Sequence, residues 1–487
     1  MGWDLLSLFI SEASWVYVMT PIFILFSLYF TIKMGFIQGR FIKDLWSLLR
    51  ERVPNSIGIS PFQSLALSTA SRVGSGNVLG VAFAISIGGP GAIFWMWIIA
   101  ILGMALAVVE STLAQVYKVK VDDLYQGGPA YYIRRGLGNQ KLSVIYSLLL
   151  ILTFGLLFNV VQSSTITETL TVTTEMGNEM AMLMILIVSG IVIFGGLRRI
   201  VHVTEILVPL MLFLYLAIVL YVFIRNIEQV PAVFSLIMTN AFGMGEFVGG
   251  GIGMALVQGA RRGLPSNEAG IGSASIAGAL ANTSHPTQQG IIQSFGVFLD
   301  TIIMSSATAF IILISGIYGH GIPNGILLTQ ASMALYIGDI APYFVSVILL
   351  LFSFTSIISN YYYGESNVRY LSAHRGLLFG YRGLFLGMLA VGALMNVTGL
   401  IGILAFFIAL MTVTNLYVLY KLQAVAKAVC QHYAAQRGKG KTPQFYAEDI
   451  PGLTNAQCWE MPESVKRSRS KMREDAYFNA MPSDPQD

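Results

Sequence analysis

Eleven long apolar blocks constrain this 487-residue chain more than any other feature. They fall near residues 15–33, 59–87, 91–117, 143–165, 180–197, 204–224, 243–260, 290–316, 335–360, 383–397 and 400–420. A helix needs about 20 apolar residues to cross a bilayer, and these blocks show neither strand alternation nor an amphipathic stripe. They are also far too long for the strands of a membrane barrel. The length alone would allow two or three soluble domains. However, 55% of the residues are hydrophobic and 11% charged, against about 25% charged in a soluble protein, and the mean hydropathy is +0.68. A soluble core cannot use that much apolar surface, whereas lipid can. The expected fold class is all-α: a polytopic membrane protein of about 11 transmembrane helices.

Lysine and arginine set the expected orientation. One set of loops carries Arg40, Lys43, Arg50 and Arg52, then Lys118, Lys120, Arg134 and Arg135, then Arg198, Arg199, Arg261 and Arg262, and finally Arg369, Arg375 and Arg382. The loops on the other side hold only Arg225. This asymmetry predicts the N-terminus outside and the C-terminus in the cytoplasm, as an odd number of spans requires. It also accounts for the net charge of +4 without a nucleic-acid partner. Nothing in the sequence marks an obligatory protein partner. Cys430 and Cys458 offer neither a disulfide framework nor metal-ligand spacing. The N-terminal segment has Asp4 and Glu12 but no basic region before its apolar run, unlike a signal peptide. Residues 37–52 set Phe41, Leu45, Trp46 and Leu49 against four cations, the pattern of an amphipathic helix on the inner membrane surface. The polar segment from 437 onward reads as a disordered basic tail.

With the first span set aside, ten remain and divide as five and five, the second group inverted because five is odd. The expected organisation is 1–58 for the first helix and amphipathic segment, 59–226 and 227–420 for two inverted repeats, and 421–487 for the tail. Each repeat opens with a glycine-interrupted segment, Arg72-Val73-Gly74-Ser75-Gly76-Asn77 and Phe247-Val248-Gly249-Gly250-Gly251-Ile252-Gly253. Each glycine lowers helix propensity by about 1 kcal/mol. A helix broken in mid-membrane frees N–H and C=O groups that lipid cannot satisfy, whereas a bound ion and a zwitterion can. Matched interruptions in two halves therefore point to a transporter's binding site. The alternative is that these glycines only let helices pack closely.

Arg72–Asn77, followed by Gly88-Gly89-Pro90-Gly91-Ala92-Ile93-Phe94-Trp95-Met96-Trp97, resembles the signature of the alanine or glycine:cation symporter family, within the amino acid–polyamine–organocation superfamily. Gly127–Tyr132, Arg262-Gly263-Leu264-Pro265-Ser266-Asn267-Glu268-Ala269-Gly270, Phe298-Leu299-Asp300-Thr301 and Tyr362-Tyr363-Gly364-Glu365 agree with it over residues 15–420. The resemblance implies a non-enzymatic symporter of the bacterial inner membrane. It would carry a small neutral amino acid (alanine, glycine or, further off, glutamine) with sodium or, less often, a proton, and would hold no cofactor beyond the co-transported ion. By the same resemblance, backbone at Gly74, Ser75, Gly76 and Asn77 would hold the substrate carboxylate. Gly249, Gly250 and Gly251 would offer carbonyls to its ammonium, Phe247 would wall the pocket and Gln162 would add a polar contact. Sodium would meet the carbonyls of Ala70 and Val73 and the hydroxyls of Thr355 and Ser356, although such hydroxyls often bond back to their own helix. The chain departs from the family pattern at Arg72 and at Asn360, where many members carry tryptophan. Asn360 is expected to widen the pocket and favour longer substrates.

Arg72 is a cation well inside a span, where a charge costs at least about 2.5–3.5 kcal/mol. Asp300, Glu110 and Glu205 lie in or near other spans. Each carboxylate reads either as part of a gate or ion path or as a fixed pair between helices. Proton coupling through Asp300 or Glu110 is the alternative mechanism, and an ion channel a more remote one. A membrane-embedded enzyme is disfavoured, because the chain has no His-Glu-x-x-His or similar cluster.

Overall fold

The structure, a computed structural model, describes residues 14–40, 42–51, 57–243, 251–318, 325–395, 397–440 and 442–467. It is helical almost throughout. The principal helices are α1 (Thr20–Lys33), α2 (Pro61–Arg72), α3 (Leu79–Gly88), α4 (Gly91–Val116), α5 (Pro129–Gly136) and α6 (Gln140–Thr174). They continue as α7 (Asn178–Phe194), α8 (Gly196–Arg225), α9 (Val230–Ala241), α10 (Gly251–Asn267), α11 (Ala274–Leu280) and α12 (Pro286–Ser315). The last four are α13 (Ile326–Ile337), α14 (Ala341–Leu371), α15 (Arg375–Leu394) and α16 (Thr398–Gly438). A small hairpin of β1 (Val119–Val121) and β2 (Leu124–Gln126) follows α4.

Among the described residues, seven helical runs are long and apolar enough to span a bilayer: α4, α6, α8, α12, α13 with α14, α15 and α16. The pair α2 and α3 makes an eighth, bent by 62°. Helices α1 and α7 are shorter apolar segments.

Two breaks organise the centre. Helix α2 starts firmly: Ser60 Oγ accepts the Gln63 N–H at 3.1 Å, Gln63 Oε1 accepts the Ser60 N–H at 3.0 Å, and Pro61 occupies the first turn. It ends at Arg72, where Gly74 and Gly76 bring in a single 3₁₀ turn, Ser75–Asn77, before α3. The second break separates α10 from α11. There Glu268, Gly270 and Gly272 take φ of 55°, 76° and 96°, and Pro265 weakens the last turn of α10. Helix α10 packs on α3 and α4, and α11 on α2 and α4. Each half of one broken pair therefore abuts a half of the other. A parallel bridge between Ile59 and Ala281 joins the start of α2 to the end of α11.

The expected second interruption, at 247–253, falls mostly outside the described residues. Phe247, Gly249 and Gly250 lie outside the described residues, and Gly251 opens a helix that runs unbroken to Asn267. Among the described residues an interruption falls at Glu268–Ser273, where two glycines of positive φ stand close together. The C-terminal segment also differs from a disordered tail. Helix α16 runs to Gly438, and residues 442–467 fold back onto the body. Phe445 and Trp459 are buried there, the Phe445 N–H donates to the Ser284 carbonyl at 3.1 Å, and Trp459 Nε1–H donates to the Gln115 carbonyl at 2.8 Å. Phe445 and Trp459 pack edge to face and, with the buried Ile450 and Met461, anchor this segment by sparse contacts that periodicity does not detect.

Candidate functional site

A cavity of about 730 Å³ opens beside the first break, lined by Gly74, Ser75 and Gly76, by Gln162 of α6, and by Pro265 and Ser266 at the end of α10. Arg72, Glu168 and Phe83 also reach it. Gln162 Oε1 accepts the Ser75 N–H at 3.4 Å. The fit at Gly74 is close: a Cβ there would lie 2.9 Å from Gln162 Nε2 and 3.4 Å from Ser356 Oγ. Nothing lies within 4 Å of a Cβ on Gly76, so that backbone faces open space. The site joins a polar loop, an amide and the end of a second helix inside an apolar body.

Asn77 stands behind this wall and does not line the cavity. Its Nδ2 donates to Asp300 Oδ1 at 2.8 Å and to the Asp300 carbonyl at 3.0 Å, and its Oδ1 accepts the Gly74 N–H at 3.2 Å. Asp300 also accepts from Ser266 Oγ at 2.9 Å and from Thr301 Oγ1 at 2.8 Å. This carboxylate thus ties the first break to the end of α10. Arg72, 2% exposed, donates from Nε to the Asn267 carbonyl at 2.9 Å and from Nη1 to Gln293 Oε1 at 3.2 Å. It therefore satisfies a carbonyl at the second break, and among the described residues it forms no salt bridge with the buried carboxylates.

The sodium-site residues meet only in part. Ala70 and Val73 are buried at the end of α2, and Ser356 Oγ reaches across from α14 to donate to the Ser71 carbonyl at 3.3 Å. Thr355 turns back to its own helix, donating to the Leu351 carbonyl at 2.9 Å. Asn360 does not reach the cavity either. Its Oδ1 lies 2.6 Å from Ser71 Oγ and its Nδ2 donates to Ser356 Oγ at 3.2 Å, so the amide is spent between α2 and α14. Gly251 heads α10 away from the lining residues.

Two carboxylates are engaged by fixed partners. Glu205 Oε2 accepts from Gln63 Nε2 at 2.9 Å, joining α8 to α2. Glu110 Oε2 accepts from Asn415 Nδ2 at 3.2 Å, and the same nitrogen donates to the Gly270 carbonyl at 2.9 Å. Sequence reasoning passed over Pro265, Ser266, Asn267 and Glu268 as site residues. The signal was Gly270 and Gly272 just after Pro265, but it falls past the apolar block that marked the span.

A helical body of apolar spans, with a cavity that carries polar groups where two interrupted helices meet, defines a membrane transporter. The chain belongs to the sodium:alanine symporter family, whose sequence profile matches residues 4–447. It is 44% identical over 450 residues to the amino-acid carrier protein AlsT of Bacillus subtilis, covering 92% of this chain and 96% of that one. It is 42% identical over 467 residues to a protein of the same organism named "Probable sodium/glutamine symporter GlnT", covering 95% and 97%. The sodium/proton-dependent alanine carrier protein of Bacillus sp. (strain PS3) is 33% identical over 420 residues, covering 83% and 94%. Among solved structures, a mutant of the Eremococcus coleocola manganese transporter superposes with a TM-score of 0.51 at 14% identity, covering 82% of this chain and 86% of that one, a likeness of fold.

Proposed function

We propose that this chain couples the downhill entry of sodium to the uptake of a small neutral amino acid, alanine or glycine, by alternating access. The observation that carries the reading is the first break. Backbone at Gly74–Gly76 opens onto the cavity beside Gln162, opposite Pro265 and Ser266 at the end of the other broken helix. Amide groups on one side suit a carboxylate, and carbonyls at the end of α10 suit an ammonium. A zwitterion bridging the two would draw the broken helices together, which makes binding and closure one event. Sodium, a hard cation suited to oxygen donors, would sit at the Ala70 and Val73 carbonyls with Ser356. The flanking helices form two inverted repeats, 59–226 and 227–420, in a bacterial inner membrane with the N-terminus outside.

Glutamine is a longer cargo of the same class, supported by the relative named for it. Proton coupling is a second reading. It is favoured by three buried carboxylates, Glu110, Glu268 and Asp300, around the buried Arg72, and by the relative named for both ions. The test is uptake of labelled alanine, glycine and glutamine into proteoliposomes under a sodium gradient, a pH gradient or neither. Concentrative alanine or glycine uptake that requires sodium is expected. Uptake of none of the three under either gradient would overturn the reading.

A further inference from the structure

Glu268 is the residue on which the two breaks meet. It follows α10 directly in left-handed backbone, with φ of 55°, and it is 1% exposed. Its Oε1 contacts the Ser71 hydroxyl at the end of α2, and its Oε2 accepts from Ser273 Oγ, at the far end of the same break, at 2.5 Å. From Ser71 a chain continues to Asn360 Oδ1 at 2.6 Å. From Asn360 Nδ2 it reaches Ser356 Oγ at 3.2 Å, and from Ser356 it returns to the Ser71 carbonyl at 3.3 Å.

Counting hydrogens along this chain constrains Glu268. A hydroxyl donates one proton, and Ser71 Oγ lies between two acceptor oxygens, Glu268 Oε1 and Asn360 Oδ1. The Asn360 amide is oriented by its other end: Nδ2 donates to Ser356, which leaves the Ser356 proton for the Ser71 carbonyl. Reversing the amide would turn the Ser356 proton away from that carbonyl, beside the break. The Ser71 proton therefore goes to Asn360, and the hydrogen in the Glu268–Ser71 contact comes from Glu268. We propose that Glu268 is a proton-carrying residue of the transport cycle, holding its proton on Oε1 while Ser71 links the two broken helices.

The deprotonated form has its own partner. Arg72 Nη2 makes no hydrogen bond among the described residues, while the neighbouring Nε already holds the carbonyl of Asn267, the residue before Glu268. Loss of the proton, to water admitted when the two breaks part, exchanges the Ser71 contact for an ion pair with Arg72, a two-position element of the kind that switches use. Five ionisable groups face Glu268. Arg72 of α2 favours the carboxylate. Glu110 of α4, which reaches the break through Asn415, and Asp300 of α12, held by Ser266, oppose it. Tyr146 of α6, whose hydroxyl donates to the Ile271 carbonyl, and Tyr363 of α14 complete the shell.

The proposal rests on the cation-coupled reading, and the experiment separates the two. Full-length protein and E268Q are reconstituted, and alanine uptake is measured under a sodium gradient with and without an added inward proton gradient. The proton gradient is expected to raise wild-type uptake severalfold and to have no effect on E268Q. Sodium-driven uptake indifferent to the proton gradient in wild type, or an unchanged response in E268Q, overturns the proposal and leaves the symporter reading standing. Uptake under neither gradient overturns both. A second arm needs no glutamine variant to fold: the infrared C=O band of a protonated carboxyl, titrated away at alkaline pH, should shift in S71A, because its hydrogen-bond acceptor is gone. A band unmoved by S71A overturns the assignment.

Discussion

Replacing Gly74 by alanine tests whether the cavity wall binds substrate through Gln162. The new Cβ would stand 2.9 Å from Gln162 Nε2 and 3.4 Å from Ser356 Oγ. The first contact is too short to persist, and Gln162 is the partner that can yield because its amide ends a flexible side chain. As it swings away, the Ser75 N–H loses the Oε1 acceptor now at 3.4 Å. A buried donor left without a partner costs about 1–3 kcal/mol, and each 1.4 kcal/mol is about a factor of ten in affinity. The orphaned donor should lower thermal stability, and because Gln162 is also the proposed polar contact of the substrate, its displacement should weaken alanine affinity by about 5- to 150-fold, the same energy converted. The assay is alanine affinity in detergent or proteoliposomes for wild type, G74A, Q162A and the double variant. The two effects should be strongly non-additive, because both act on one hydrogen bond. Unchanged affinity in G74A, or a full G74A penalty in the Q162A background, would refute the argument.

Other expectations follow from the same geometry. Asn77→Ala removes the Nδ2 that donates to Asp300 at 2.8 Å; it should cost about 2–3 kcal/mol and appear as at least a tenfold loss of uptake per purified transporter, a conversion on the order of one decade per 1.4 kcal/mol. Gly272→Ala meets Pro129 Cγ at 2.6 Å and Tyr146 Oη at 2.7 Å at a φ of 96°; it should lower the melting temperature clearly, as a fluorescence melt would report. Trp459→Ala removes the anchor on the Gln115 carbonyl, at a local cost of about 3–5 kcal/mol, so limited proteolysis should cut within 442–467 in the variant and spare it in wild type. Docking of the same segment should depend on acidity. Burial holds His285 neutral and pushes its pKa well below 6.5, His432 beside it acts the same way, and the undocked state binds the proton more readily. Docking should therefore be firm above about pH 6.5 and weaken as pH falls below it, read by the same proteolysis across pH.

Much of the membrane architecture was legible because lipid imposes a long, simple pattern: blocks such as 91–117 and 180–197 became α4 and α7 almost unchanged, whereas α8 begins eight residues before the block at 204–224. The first break was also readable, since Gly74 and Gly76 interrupt an apolar run, although close helix packing was a competing account of the same glycines. The break at Glu268–Ser273 was not read from the sequence, for a physical reason. Hydropathy marks where lipid touches the chain, and the segment 261–280 touches mostly protein, so its polar residues were assigned to a loop. Gln162 could be named but not positioned, because its closeness to Gly74 depends on α6 crossing α2. Asn360 was assigned to the pocket because it departs from the family pattern, yet its amide turns towards Ser71, a matter of helix rotation that no sequence pattern fixes.

The parallel bridge between Ile59 and Ala281 has a mechanical meaning. Ile59 N–H donates to the Leu280 carbonyl at 3.2 Å, and Asn282 N–H donates to the Ile59 carbonyl at 2.9 Å. These two bonds act as a clasp between the ends of α2 and α11. While it holds, neither half-helix can tilt without dragging the other, so the pair moves as one rigid lever. Opening the clasp forfeits about 0.5–1.5 kcal/mol per bond, so the two bonds alone would leave the unclasped form populated at about 0.6–16%. Such a fastening is firm enough to keep one arrangement dominant and weak enough for a bound cargo to tip.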